Sequence, residues 1–433
     1  MIMMNSLMAK IQTRFGRIRT LHSMIISQET IKPSSPTPSH LKTHNLSFID
    51  YLSPNIHMPL ILFYKNFNNN NNNNINILKR SLSHSLTQYY PFAGRLHAPD
   101  YIDCNDEGVE FLEASVHSRL DDFILKEDQD ETLDQLIPNA LGCAVNKTSP
   151  HMVAVQLSHF TCGGVSVAVS VSHKAADAFT MVNFVNHWAT LTRGELPINP
   201  RFFSSPSMSN FKIPELSQVE TPQQVKFANR RFVFPNSKLN ELKNKINAMG
   251  ASPLDPTRVE SLTTLLFKCA ATITGSSRPL ISLNQLVNLR GKNNGNFPQL
   301  APGNFYAVAT AMTKNSSQIE MNEMIMSLRK ERMEVQGARD VEEAGKKMVD
   351  TWMIVLDDQI QSYSFSSVCR FPFYQVDFGW GNPARVMIRS GNLDTNFIVL
   401  MDTPSGDGIE ATVQLEEEDM AIFQKNEQLH AYT

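Results

Sequence analysis

Val165-Ser166-Val167-Ala168-Val169-Ser170-Val171-Ser172, followed at once by His173-Lys174-Ala175-Ala176-Asp177, is the stretch on which the fold turns. Valines alternate strictly with small residues. A period of two predicts a strand with its valine face toward a core. Directly downstream, Ala178, Met181, Val182, Val185 and Trp188 recur at three- and four-residue spacing, which predicts a helix of about four turns. Upstream, Met152 to His159 reads as a second strand, joined to the first by the turn Thr161-Cys162-Gly163-Gly164. His173 therefore falls at a strand-to-helix junction, and the fold class is α/β.

Working outward, Ile56 to Tyr64 reads as a strand, and Ile75, Leu78, Leu82 and Leu86 give a helix that Tyr89-Tyr90-Pro91 stops. The asparagine run Asn68 to Asn74 is a low-complexity loop. Ile31-Lys32-Pro33-Ser34-Ser35-Pro36-Thr37-Pro38 is extended and reads as an arm laid over a surface. Between Arg193 and Val225, Pro197, Pro200, Pro206, Pro214 and Pro222 occur without periodicity, the pattern of a linker. Beyond it come helices at Pro256 to Ala271 and Gln318 to about Met333. Val386 to Ile388, Phe397 to Met401 and Ile409 to Leu415 read as strands around turns at Gly391 and Gly406, and Glu416 to His430 turns helical. The expected division is an extension over 1–24, a lobe over 25–192 carrying His173, a linker over 193–225, and a second lobe over 226–433.

At 433 residues and 42% hydrophobic composition, the chain can bury large cores. Its net charge of -3, with 39 Lys and Arg dispersed, gives no nucleic-acid footprint. Cys104, Cys143, Cys162, Cys269 and Cys369 lie far apart, so neither a zinc site nor a disulfide framework is expected, and a reducing, cytoplasmic setting fits. No apolar run approaches the roughly 20 residues that span a bilayer. The expected partner is a small molecule, with neither nucleic acid nor membrane, and the expected state is a monomer. Lys10, Arg14, Arg17 and Arg19 precede any acidic residue, a composition shared by organelle import segments, by disordered extensions and by a chain whose start is Met24.

The first chemical signal is His173 with Asp177 four residues on, a spacing suited to general-base catalysis. With 12 His in the chain, about half a match is expected by chance, so the spacing gains weight from its junction setting. Asp177 also reads as a carboxylate at the positive end of the helix it begins. The second signal is Asp377-Phe378-Gly379-Trp380-Gly381, whose plain reading is a glycine-rich bend around a buried tryptophan. A kinase reading of Asp-Phe-Gly fails because the phosphate loop and catalytic loop of kinases are missing. Gly164-Val165-Ser166-Val167-Ala168 approaches a hydrolase elbow, but Ser166 lies inside a strand rather than on a sharp turn.

The two signals, their order and their separation resemble the BAHD acyltransferases, whose signatures are His-x-x-x-Asp and Asp-Phe-Gly-Trp-Gly. The resemblance extends to the arm at 31–38, to Tyr89-Tyr90-Pro91-Phe92-Ala93-Gly94-Arg95-Leu96, to Asn288-Leu289-Arg290 and to Gly408-Ile409-Glu410-Ala411. It implies two similar-sized α/β lobes, like chloramphenicol acetyltransferase, with the active site in a channel between them. It further implies an acyl-CoA co-substrate, acetyl-CoA in the branch whose wording is nearest, and transfer to a hydroxyl of a plant specialised metabolite such as an alkaloid or terpenoid. His173 would be the base. Asp177 would pair with Arg290, Asp377, Gly379, Trp380 and Gly381 would hold a loop, and Ser366 would support the oxyanion. No metal and no tightly bound cofactor is implied. Three positions depart from the family: Ala178 replaces a frequent Gly, Val368 a usual Trp, and Asn382 a Lys or Arg. Val368 and Asn382 motivate a second reading, a catalytically silent ligand-binding relative.

Overall fold

The alternating valines form the strand Val165–Ser172. The computed structural model describes residues 23–67, 73–97, 101–125, 131–138, 151–203, 226–249, 254–273, 278–292, 297–314, 319–389 and 395–433. The strand lies inside a six-stranded sheet ordered Ser23–Ile31, Val109–Val116, Val153–Phe160, Val165–Ser172, His57–Tyr64 and Arg385–Ile388. Only the pair Val109–Val116 with Val153–Phe160 is parallel. Val165, Val167, Val169 and Val171 enter a core with Leu82, Phe92, Phe184 and Trp188.

The valine face is core as expected, and the other face is covered as well. Ser166, Ser170 and Ser172 are buried too, and Ala168 packs with Phe63, Phe123, Phe160 and Met387. The reason is position within the sheet. Helices Asn73–Gln88 and Ala178–Thr192 cover one face, and the segment bearing Leu120, Phe123 and Leu136 covers the other. Small side chains are needed where two layers approach closely, so the alternation records size rather than wetness.

The arm follows the edge strand Ser23–Ile31 and is tied down by bonds from its backbone N–H groups. Ser34 N donates to Ser83 O at 3.1 Å and Thr37 N to Asp106 Oδ2 at 3.0 Å. Met24 stands inside the edge strand, so the boundary drawn at 24 cuts a structural element.

A second six-stranded sheet has the order Tyr306–Thr313, Leu280–Asn288, Ile360–Ser367, Phe397–Asp402, Gly408–Glu416 and Phe227–Pro235. Leu280–Asn288 and Phe397–Asp402 each run parallel to Ile360–Ser367 between them. Phe267, Tyr363, Phe365 and Leu400 fill the core against the helix Arg258–Ala271. That helix begins where Thr257 and Glu260 bond each other's backbone N–H groups, a capping box. Two expectations need correction. The helical stretch 416–430 is two short helices, Glu417–Phe423 and Glu427–His430, because Asn426 accepts from Gln428 N and Leu429 N and starts a new turn. The strand Arg385–Ile388, placed by sequence in the second lobe, pairs with His57–Tyr64 in the first sheet. Its apolar run of Val386, Met387 and Ile388 cannot reveal which sheet it joins.

The extension through residue 22, the start of the asparagine run, Cys143, the linker from 204 and the turn at Gly391 lie outside the described residues. Among the described residues no helix is long and apolar enough to cross a membrane. Nor does any cluster of three metal-ligating side chains occur there.

Candidate active site

His173 leaves the strand Val165–Ser172 with its own backbone N–H bonded to Ile56 O at 2.9 Å, which fixes the first residue of the junction. Its ring lines a cavity of about 110 Å³ between the two sheets. Ile56, Met58 and Phe179 come from one half, and Leu286, Asn288, Tyr306, Ser366, Val368 and Phe371 from the other. Most of this wall is apolar.

The imidazole is oriented by a residue that the sequence did not single out. Asn304 Oδ1 lies 3.1 Å from His173 Nδ1, while Asn304 Nδ2 donates to His173 O at 2.7 Å and to Asp50 Oδ1 at 2.8 Å. Both amide protons are thereby spent on oxygens, so Oδ1 must accept, and Nδ1 must carry the proton. The Nε2 lone pair is left over. Asp50 also accepts from Asn304 N at 3.0 Å and forms a capping box with Ser47 on the helix Phe48–Leu52. That box was readable in Ser47-x-x-Asp50 as a helix start. Nothing local links it to residue 304.

Burial lowers the His173 pKa from its ordinary 6.5, with the Asp177 charge and Asn304 partly opposing the shift. The ring is therefore a neutral base near pH 7.

Asp177 does what the helix-start reading describes and also more. It caps the helix Ala178–Thr192 by accepting from Thr180 N at 2.9 Å. Its carboxylate also takes two bonds from Arg290, at 2.6 and 3.2 Å, and one from Phe305 N at 3.1 Å. Burial opposes its ionisation, yet Arg290 and the two backbone donors hold its carboxyl below the usual value. Arg290 is saturated: Nε donates to Ala301 O and Nη2 to Gly303 O, both at 2.9 Å, while Phe179 and Phe305 flank the guanidinium at 4.9 Å. Gly303 holds φ +125°, where a side chain would be strained, and its carbonyl also accepts from Thr180 Oγ1 at 2.8 Å. One buried ion pair thus fastens the loop carrying Asn304 onto the turn carrying His173.

The second signal lies elsewhere. Asp377 Oδ1 accepts from Gly379 N at 2.7 Å and Gly381 N at 2.9 Å, with the glycines at φ +95° and +85°. Trp380 packs edge-on against Tyr64 and Phe67, and Arg193 donates to Asp377 O. None of Asp377, Gly379, Trp380 and Gly381 lines the cavity with His173. Asn382 is exposed, whereas Val368 is a buried part of the cavity wall. Ser366 lies on the strand Ile360–Ser367 and lines the cavity as well.

A neutral imidazole with its Nε2 lone pair at a largely apolar cavity can take a proton from an alcohol held there. Residues 21–430 match the model of the Transferase family. Akuammiline synthase 1 of Alstonia scholaris is 37% identical, covering 94% of this chain and 97% of its own. Deacetylvindoline O-acetyltransferase of Catharanthus roseus is 35% identical, covering 96% and 98%. The crystal structure of vinorine synthase superposes with a TM-score of 0.80 at 32% identity, covering 93% of this chain and 96% of that one.

Proposed function

This chain belongs to the BAHD family of acyltransferases, and from that premise we propose that it transfers an acetyl group from acetyl-CoA to a hydroxyl of a plant specialised metabolite, an alkaloid or a terpenoid. The observation that carries the reading is His173, neutral, held by Asn304 at Nδ1 and lining the cavity between the sheets. Nε2 takes the proton of the acceptor hydroxyl as its oxygen attacks the thioester carbonyl carbon. The carbonyl electron pair moves to oxygen, giving a tetrahedral oxyanion that Ser366 supports. When the pair returns, the C–S bond breaks and the imidazolium protonates the departing thiolate, so the base is regenerated.

Acyl-CoA is a co-substrate released as CoA at each turnover, so this chemistry calls for no metal and no resident cofactor. The partners are acyl-CoA and a small alcohol, and the chain works as a cytoplasmic monomer. The lobes correspond to residues 25–192 and 226–433, with the second lending Arg385–Ile388 to the first sheet. Asp177 and Arg290 clamp the lobes together, while Asp377, Gly379, Trp380 and Gly381 shape a loop away from the reacting atoms. The largely apolar wall of the cavity suits an uncharged acyl group and the carbon skeleton of an acceptor.

The test is free-thiol release from acetyl-CoA with a panel of alkaloid, terpenoid and sugar alcohols, with His173→Ala in parallel. Turnover is expected to fall by about 10²- to 10⁴-fold in the variant. Equal turnover by the variant would remove His173 as the base.

A further inference from the structure

We infer that Asn288 is an oxyanion donor, whose side-chain N–H groups bond the thioester carbonyl oxygen as negative charge gathers on it. The inference rests on the reading of His173 as base and adds a residue to that site.

The orientation of the amide comes first. Asn288 Oδ1 lies 3.1 Å from Arg290 N and 3.4 Å from Arg290 Nη1. Both Arg290 groups are donors and neither can accept, so the oxygen must face them and Nδ2 must point the other way. Asn288 ends the strand Leu280–Asn288 and lines the cavity that His173 lines. Among the described residues no acceptor takes the Nδ2 protons.

Strand register supplies the second donor of the pair. Gln285 lies beside Phe365 in a parallel ladder, so the same register continued sets Leu286 beside Ser366, with Asn288 two residues further along. Side chains alternate along a strand, so Leu286, Asn288 and Ser366 share a face. Diagonal neighbours of this kind are about 7–8 Å apart at their Cα atoms, room for one oxygen between a hydroxyl and an amide. The wall that carries both donors belongs to the second sheet, and His173 comes from the first. An acyl carbonyl between the walls would meet its base-activated attacker on one side and its oxyanion donors on the other.

This assigns a purpose to Arg290 beyond clamping. Its charge is already matched by Asp177, so it contributes little field at the reacting carbonyl. What it does there is hold the Asn288 amide in one of its two orientations. A preoriented neutral donor in an apolar cavity needs little reorganisation as charge develops.

The experiment separates donating from bracing. Asn288→Asp keeps oxygens for Arg290 and removes the N–H donors, while Asn288→Ala removes both and Asn288→Ser restores a hydroxyl donor to a truncated side chain. Each is measured for kcat and KM with acetyl-CoA and the accepted alcohol, and for its melting temperature. The expected result is a fall in kcat of about 10²-fold in Asn288→Asp at native melting temperature with KM nearly unchanged, and a smaller fall in Asn288→Ser than in Asn288→Ala. Wild-type kcat in Asn288→Asp would overturn the inference and leave Asn288 as a brace for Arg290. If Asn288→Asp does not fold, unchanged kcat in folded Asn288→Ala overturns it equally. Activity persisting in His173→Ala would instead remove the base, a failure visible in a different variant.

Discussion

Asp177 and Asp377 share a local habit, since each turns a carboxylate oxygen back onto backbone N–H groups downstream, Asp177 onto Thr180 and Asp377 onto Gly379 and Gly381. They part at the other oxygen. Asp177 Oδ2 accepts from Arg290 and from Phe305 N, more than a hundred residues away in sequence, and is buried with them. The Asp377 carboxylate has bonds only to its own loop among the described residues. One aspartate joins two halves of the molecule at the cavity, and the other shapes five residues near the surface. The lesson is that a motif records its local turn, while its consequence depends on what the turn is docked against. Removing each carboxylate's partners should therefore have effects of different size and kind.

The largest expected effect beyond loss of the base itself comes from Arg290→Met. It leaves Asp177 buried without its counter-charge, and breaking such a pair costs about 3–5 kcal/mol. Urea or thermal unfolding of the variant checks this, and a loss under about 1 kcal/mol would mean that water reaches Asp177 and the two aspartates differ less than their burial suggests. The pH response has a definite sign. Because the folded-state carboxyl of Asp177 lies below its usual 3.8, its stabilisation is full above that value and is lost as pH falls through the folded value. Arg290→Met should flatten that acid limb of stability.

A smaller effect is expected from Asn304→Ala, which leaves His173 in place and removes the acceptor for Nδ1–H. The tautomer with Nε2 bare is then no longer favoured, and kcat should fall about tenfold, the scale of one hydrogen bond at about 1.4 kcal/mol. Since Asn304 raises the imidazole pKa against the dominant effect of burial, its loss should move the acid limb of kcat/KM further below 6.5. The rate still rises with pH through that limb, because the neutral ring is the active form. An acid limb that moved upward would show that the Asn304 bond serves the neutral ring more than the charged one.

Much of this arrangement was open to reading from the chain. Val165 to Ser172 and the helix that follows it announced themselves because each has a period that its burial enforces. His173 was legible as the residue released between them. The pairing of Asp177 with Arg290 came from likeness to a family and not from spacing, because a contact across 113 residues leaves no periodic trace. Asn304 was missed for the same reason, and Asn288, though it stands in the tripeptide Asn288-Leu289-Arg290, was not singled out as lining the cavity. An asparagine carries no charge, and its meaning lies in which of its two ends is occupied. Val386 to Ile388 was recognised as a strand within 226–433, but its pairing with His57–Tyr64 was not legible, since three apolar residues specify burial and not the neighbouring strand.

The smallest expected effect tests the quieter half of the comparison. Asp377→Ala removes the acceptor for Gly379 N and Gly381 N, two bonds that hold a loop with both glycines at positive φ. Each N–H is near solvent, so water replaces part of what is lost and the cost should be about 1–2 kcal/mol. Asp377→Asn keeps an acceptor oxygen and should cost less. Because Trp380 is wedged among Tyr64, Phe67 and Phe378, the loop should stay docked, with its indole fluorescence near that of the parent protein. With the cavity wall formed by other residues, kcat should change by less than about threefold, equivalent to about 0.7 kcal/mol. A large fall in kcat at unchanged stability would dissolve the distinction between the two aspartates, for it would mean that the loop reaches the reacting groups during turnover.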